Sequence, residues 1–276
     1  MSNSFTNGKC FVDVLRLDLI HPIVSGNKFF KLRYYIEEAI NYNKKIITFG
    51  GAFSNHIVAT AFACKQSDIP CKAFIRGEQP KILSATLQNA IEFGMDIEFV
   101  NRNTYKDLAK TLEKNNNELI IPEGGFGQLG CKGAATINHY INDNYNYIIT
   151  AVGTGTTIAG LSENTKAKVI GINVLKGNEN QTLENIKMLQ PNHNVALLTN
   201  YHFGGYAKKN KELLQFMNWL YSSEKIPTDF VYTGKLFFGL HSLINNNYFE
   251  ANSKIIAVHT GGLQGNNSLS KDTLIF

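Results

Sequence analysis

The chain lacks the marks of several protein classes. Its four cysteines, Cys10, Cys64, Cys71 and Cys131, are widely spread with no CxxC or paired-histidine spacing. That excludes a zinc ribbon, any other obvious metal site and a disulfide framework, and leaves them as small buried residues. No apolar run approaches the ~20 residues needed to cross a bilayer, and the opening MSNSFTNGKC lacks the basic-then-apolar order of a secretory signal. The expectation is a soluble, cytoplasmic protein without a membrane partner. Charged residues make up only 18% of the chain against 43% hydrophobic, far from the composition of disordered chains. The net charge of +5 comes from scattered Lys and Arg, with Lys44-Lys45 and Lys208-Lys209 as the densest pairs. No basic stripe exists to follow a phosphate backbone, so nucleic acid is not an expected partner; small anionic ligands are.

What the chain does have is a repeated order: a short β-branched run, a loop of small residues, then apolar residues at helical spacing. Residues 45–49, 73–75, 97–100, 147–152, 169–172 and 255–258 are the runs. The segments after them, from Asn55, at 84–93, 104–112, 158–161 and 183–189, carry the helical spacing. Such alternation predicts an α/β fold of βαβ units with parallel strands covered on both faces. No long Pro or Ser linker divides the chain, and the asparagine-rich stretch 142–146 is the best candidate junction between two groups of units. Ligands in such sheets bind beyond the carboxyl ends of strands, which directs attention to the loops there.

Three segments hold the chemistry. Val152-Gly153-Thr154-Gly155-Thr156-Thr157 runs from a strand into a helix, so that N–H groups and hydroxyls can converge on an anion at the positive end of a helix dipole. It lacks the Lys-Ser/Thr ending of a Walker loop and the third glycine of the dinucleotide fingerprint; a tight turn without a ligand is the competing reading. Gly26-Asn27-Lys28-Phe29-Phe30-Lys31-Leu32 leads into an amphipathic run through Tyr35, Ile36, Ala39 and Ile40. A lysine at a helix start among apolar neighbours is biased toward the neutral amine that a Schiff-base nucleophile needs. Lys28 is the candidate, and Lys31, one turn onward, is its competitor. Gly50-Gly51-Ala52-Phe53-Ser54-Asn55-His56 places small residues and donors at a helix start, where Ser54 or Asn55 could equally be a plain N-cap.

Six motifs occur in order: Gly-Asn-Lys-x-x-Lys-Leu at 26–32, Gly-Gly-x-x-Ser-Asn-His at 50–56, Pro-Glu-Gly-Gly at 122–125, Gly-Thr-Gly-Thr-Thr at 153–157, Val-Tyr-Thr-Gly-Lys at 231–235 and His-Thr-Gly-Gly at 259–262. Together, over nearly the whole chain, they resemble the 1-aminocyclopropane-1-carboxylate deaminase and D-cysteine desulfhydrase family. The resemblance implies a pyridoxal 5'-phosphate enzyme of the tryptophan synthase β-subunit type (fold type II). Residues 1–40 plus 144–276 would form a large cofactor-binding domain, and 41–143 a small domain closing over the cleft. It implies Lys28 as the lysine joined to the cofactor, Gly153, Thr154, Gly155, Thr156 and Thr157 as the phosphate loop, and Asn55 as donor to the cofactor's phenolic oxygen. Ser54 would meet the substrate carboxylate or reacting carbon, with His56 supporting the loop. Tyr232 and Tyr206 would be the active-site tyrosines, serving as acid or base with pKa values lowered by a nearby cation. The resemblance also implies a homodimer.

This chain departs from the family pattern in two places. The family often has another glycine where Thr156 stands. Cyclopropane-opening members carry a glutamate, paired with the pyridine nitrogen, where this chain has Thr233. A hydroxyl there, from Thr233 with Thr260, makes a weaker electron sink than a carboxylate, sufficient to expel a good β-leaving group such as hydrosulfide. The expected function is therefore β-elimination from a small amino acid to a keto acid and ammonia, most like D-cysteine desulfhydrase. Deamination of 1-aminocyclopropane-1-carboxylate is the alternative. A rival of another class is a catalytically silent domain that binds a phosphate-bearing metabolite through 153–157.

Overall fold

Ile46, Ile47, Thr48 and Phe49 are consecutive and all buried, as happens in a parallel strand covered on both faces. The same continuous burial marks residues 148–152, 169–173 and 255–259. A computed structural model describes residues 1–112, 115–142 and 144–276, so Asp143 of the expected junction lies outside the described residues.

The strands are β1 Phe11–Arg16, β2 Lys45–Gly50, β3 Cys71–Arg76, β4 Asp96–Val100, β5 Glu118–Ile121, β6 Tyr147–Val152, β7 Lys168–Asn173, β8 Val195–Leu198 and β9 Lys254–His259. They form a five-stranded sheet in the order β1-β9-β6-β7-β8 and a four-stranded sheet in the order β4-β3-β2-β5. Every pairing is parallel. The helices are α1 Asn3–Thr6, α2 Asn27–Asn41, α3 Asn55–Gln66, α4 Ala85–Glu92, α5 Arg102–Thr111, α6 Gln128–Ala135, α7 Thr156–Leu161, α8 Glu179–Leu189, α9 Lys211–Glu224 and α10 Thr233–Asn245. The α/β class and parallel sheets expected from the sequence are what the chain adopts. Among the described residues no helix is long and apolar enough to cross a membrane, and no His/Cys/Asp/Glu group is arranged to hold a metal. All four cysteines are free and buried.

Alternation along each strand supplies two cores per sheet. In the larger sheet Ile149, Ile170 and Ala257 face α10 through Phe237 and Leu240, whereas Ile148, Val169 and Ile256 face α6 and α7 through Ala134 and Ile158. In the smaller sheet Ile46, Ala73 and Ile121 pack with Ile57, and Ile47, Phe49 and Phe74 pack with Tyr105 on the other side.

Helix α2 belongs to both assemblies. Phe30 enters the core of the larger sheet, and Leu32, Tyr35 and Ala39 enter that of the smaller one. Its approach to α6 is so close that a side chain on Gly133 would lie 2.1 Å from the Phe30 carbonyl oxygen. The first turn of α2, with Lys28, is thereby fixed where the carboxyl ends of both sets of strands converge.

Candidate active site

A cavity of about 680 Å³ is lined by segments that follow β2, β4, β5, β6, β7 and β9, together with Arg76 at the end of β3. Lys28, Ser54, Asn55, Tyr206, Tyr232 and Thr260 share its wall. So do Gly153, Thr154, Gly155 and Thr157. Thr156 and Thr233, both fully buried, do not reach it.

Lys28 owes its place to Gly26. With φ +67°, Gly26 passes so near the Thr260 carbonyl that a Cβ would sit 1.8 Å from that oxygen, so only glycine fits. Its N–H donates to Leu17 O at 2.8 Å, and that of Asn27 donates to Thr260 O at 3.2 Å. Lys28 Nζ donates to Asn27 Oδ1 at 2.8 Å, and Asn27 Nδ2 donates to Thr157 Oγ1 at 2.8 Å. One asparagine thus ties the amine to the glycine-threonine loop. Desolvation lowers the Lys28 pKa to about 8, against a smaller opposing pull from the Asp229 carboxylate. Lysine at that value supplies free amine near neutrality, as a nucleophile or base requires.

Ser54 begins α3, and its side chain makes no capping bond. The hydroxyl is left to the cavity beside the positive end of the helix dipole, a natural seat for a carboxylate. Next to it, Thr48 Oγ1 donates to Ile121 O at 2.8 Å and so must accept the other 2.8 Å bond, from His56 Nε2. His56 is therefore the neutral Nε2–H tautomer. Burial, with the charges of Lys28 and Lys31, holds its pKa well below the ordinary histidine value. His56 Nδ1 and Asn55 Oδ1 are buried without a protein partner, while Asn55 Nδ2 has only a long 3.4 Å bond to Gly262 O.

Across the cavity, Gly155 takes the left-handed conformation (φ +89°) just before α7, and a Cβ there would lie 2.9 Å from the Ile186 side chain. The Thr154 and Thr156 hydroxyls are 3.1 Å apart, which accounts for Thr156: it buttresses the loop from behind. Gly124 packs on the Thr154 methyl group, and its carbonyl accepts a bond from Lys31 Nζ. Lys31 is only 3% exposed, yet contributes to the cavity wall. Its pKa lies well below the ordinary lysine value, through burial first and the Lys28 charge second. The two lysines of α2 thus divide into one tied to Asn27 and one beside the threonine loop.

Tyr206 and Tyr232 meet edge to face, with ring centroids 6.0 Å apart. Both pKa values are raised, contrary to the expected lowering, because burial dominates. The phenols keep their protons and can act as acids. Thr233 also departs from expectation. Its hydroxyl donates to Asp229 Oδ2 at 2.7 Å and accepts from the Asp229 N–H at 2.8 Å. Asp229 Oδ2 further accepts the Thr233 N–H at 2.9 Å, and Oδ1 accepts those of Val231 and Tyr232 at 2.8 and 2.7 Å. Asp229 thereby satisfies the start of α10 and fully occupies Thr233. Of the two threonines expected near the ring nitrogen, only Thr260 faces the cavity.

Sequence reasoning missed Asp229: it stands four residues before α10, outside the N-cap position held by Tyr232, where no capping pattern marks it. It also missed Lys235, whose buried ammonium donates to His202 O at 2.9 Å and Gly205 O at 2.7 Å and so holds the turn preceding Tyr206. Arg76 and Arg102 at the cavity wall had no local signal, and Glu123 stood in the Pro-Glu-Gly-Gly motif at 122–125 without an assigned role.

The profile of the family described as "Pyridoxal-phosphate dependent enzyme" matches residues 14–261. The chain belongs to this family. A relative from Thermotoga maritima, provisionally named a 1-aminocyclopropane-1-carboxylate deaminase, is 30% identical over 91% of this chain and 88% of its own. The bifunctional D-cysteine desulfhydrase/1-aminocyclopropane-1-carboxylate deaminase of Arabidopsis thaliana is 28% identical over 91% of this chain and 72% of its own. Among solved structures, one described as an analysis of "the ACC deaminase homologue" superposes with a TM-score of 0.76 at 26% identity, covering 92% of this chain and 85% of the other.

The residues present fit the cofactor of this pyridoxal-phosphate enzyme. Asn55 Nδ2, held only by a long 3.4 Å bond to Gly262 O, can donate to the phenolic oxygen, and the buried acceptors Asn55 Oδ1 and His56 Nδ1 beside it have no protein partner, a state that costs about 1–3 kcal/mol per atom. A buried lysine, threonine hydroxyls and a glycine turn at a helix start form a donor set suited to a phosphate dianion. The low-pKa amine of Lys28 is available for the aldehyde.

Proposed function

We propose that this enzyme degrades a small amino acid by β-elimination, releasing a keto acid and ammonia, with D-cysteine desulfhydrase-like specificity. The observation that carries this reading is the makeup of the cavity wall. Among the described residues its one carboxylate is Glu123, ion-paired with Arg76 at 3.6 Å, while Asp229 is consumed by the α10 cap. When bound, pyridoxal phosphate supplies an electron sink for the pair left at the substrate α-carbon; a Thr260 hydroxyl rather than a carboxylate beside it suffices to expel a good β-leaving group but disfavours cyclopropane opening.

In this reading Lys28 would hold the cofactor covalently, and its amine, with a pKa lowered to about 8, would take the substrate α-proton. Gly153, Thr154, Gly155 and Thr157, with Lys31, hold the phosphate end, Thr156 bracing them from behind. Asn55 bonds the phenolic oxygen. The Ser54 hydroxyl and the start of α3 orient the substrate carboxylate. Tyr232 or Tyr206, each retaining its proton, protonates the departing β-substituent. Residues 41–143 act as a small domain closing over the large domain of 1–40 plus 144–276, which excludes water. We place the enzyme in the cytoplasm as a homodimer; sedimentation of the purified chain tests the dimer, for which the family resemblance is the support.

Lys28→Ala is expected to abolish both the visible cofactor absorbance and turnover; retention of either refutes the lysine assignment. Hydrogen sulfide from D-cysteine, measured against 2-oxobutanoate from 1-aminocyclopropane-1-carboxylate, decides between the two activities named for the relatives. Predominant 2-oxobutanoate would overturn the elimination reading.

A further inference from the structure

Arg76 is the last residue of β3 and Arg102 the first of α5, so both stand at the carboxyl edge of the four-stranded sheet and on the cavity wall. Arg76 is braced on one side. Its Nη1 lies 3.6 Å from Glu123 Oε2, which also accepts the Tyr105 hydroxyl at 3.0 Å, and its guanidinium lies over the Tyr105 ring at 5.5 Å. Its other arm, Nη2, lies by the Gly50–His56 loop, 3.7 Å from where a Cβ of Gly51 would stand. Arg102 has no ion pair among the described residues, and the first turn of α5 contains no acid. A cation at a helix start is disfavoured by the dipole, so the helix itself gives no reason for arginine there.

The charges on the wall give the second observation. Lys28 and Lys31 are committed to the cofactor in the reading above, and Glu123 offsets one arginine. One cationic equivalent remains, displayed by two guanidinium groups whose planar forks match oxyanions. The Ser54 hydroxyl and the start of α3 already provide a seat for the substrate α-carboxylate. The arginines are therefore free to meet a second negative group.

We infer that Arg76 and Arg102 form a subsite for an anionic side chain, so that the same elimination extends from D-cysteine to small amino acids whose β-leaving group is an oxyanion ester, which are favoured over substrates with other neutral side chains. This rests on the elimination reading. In the reaction the α-proton passes to Lys28, the Cβ–O bond breaks, and its electron pair leaves with the oxyanion. Water then releases the keto acid and ammonia. For O-phosphoserine the balance is O-phosphoserine plus water to pyruvate, ammonia and inorganic phosphate.

The test uses the holoenzyme with O-phosphoserine and, as a substrate with a neutral side chain, β-chloroalanine, each as both enantiomers. The wild type should favour O-phosphoserine in kcat/KM, and raising ionic strength should weaken that preference. Arg76→Ala should lower kcat/KM for O-phosphoserine about tenfold or more relative to its effect on β-chloroalanine. Arg102→Ala should do the same to a smaller degree, and Arg76→Lys should restore part of the preference. Equal loss on both substrates would assign Arg76 to the α-carboxylate and overturn the inference, as would an unchanged ratio or a wild type without the preference. Turnover of β-chloroalanine shows that each variant is folded and that elimination itself holds. A cofactor-bearing wild type that turns over neither compound would overturn the elimination reading and this inference with it.

Discussion

The two walls of the cavity are built to different degrees of completion. On the five-stranded side, Asp229 accepts four hydrogen bonds, Thr233 is fully used, and Lys235 clamps the turn before Tyr206. On the four-stranded side, Ser54 caps nothing and Asn55 and His56 each carry a buried atom without a partner. Other unpartnered buried atoms exist, at Asn138, Thr150, Asn173 and Thr228, but none of these residues lines the cavity. Around Asp229, behind the cavity, the five-stranded side is complete before a ligand arrives. The start of α3, like the glycine-threonine loop that would hold the phosphate, is left for the ligand to finish, a division that places stability on the first and binding energy on the second.

Substitutions on the finished wall should therefore cost stability first. Asp229→Ala removes a buried carboxylate from four donors and should lower the free energy of unfolding by about 3–5 kcal/mol, read as a shift in denaturant midpoint. Thr233→Ala should cost about 1–2 kcal/mol without moving the cofactor absorbance band; a displaced band would return Thr233 to the ring. Lys235→Met leaves two buried carbonyls unpaired and frees the turn that carries Tyr206. It should cost about 2 kcal/mol and reduce kcat more than it raises KM. A loss confined to stability would show that Lys235 has no positioning role.

The same contrast governs what could be read in the sequence. Central strands were legible because residues 46–49, 148–152, 169–172 and 255–258 are β-branched and apolar runs with Thr as the most polar member, and are buried on both faces. The unforeseen strands β1, β5 and β8 all lie at sheet edges, where burial is partial and the apolar runs are short or interrupted. In the site, Gly26 and Gly155 announced themselves because a close approach or a left-handed turn disfavours any other residue. The direction of the Thr233 hydroxyl was not legible, since it follows from a carboxylate on the preceding turn. The rise of the tyrosine pKa values was equally hidden: it depends on burial by segments distant in sequence, whereas the expected lowering considered only a neighbouring cation. Arg76 and Arg102 resemble any scattered surface charge until β3 and β4 pair and bring their carboxyl ends to one edge.

The unfinished wall yields the smallest effect on folding. Asn55→Ala removes an unsatisfied carbonyl oxygen together with one long 3.4 Å hydrogen bond, two losses of opposite sign. The cofactor-free protein should therefore keep its stability to within about 0.5 kcal/mol. The cofactor loses a donor in the same variant, and its dissociation constant should rise about tenfold, equivalent to one ordinary hydrogen bond. Chemical denaturation of the apoprotein and titration with pyridoxal phosphate separate the two quantities. If Asn55→Ala instead destabilised the apoprotein as strongly as Thr233→Ala, both walls would be equally complete without ligand, and the proposed division of labour between them would fail.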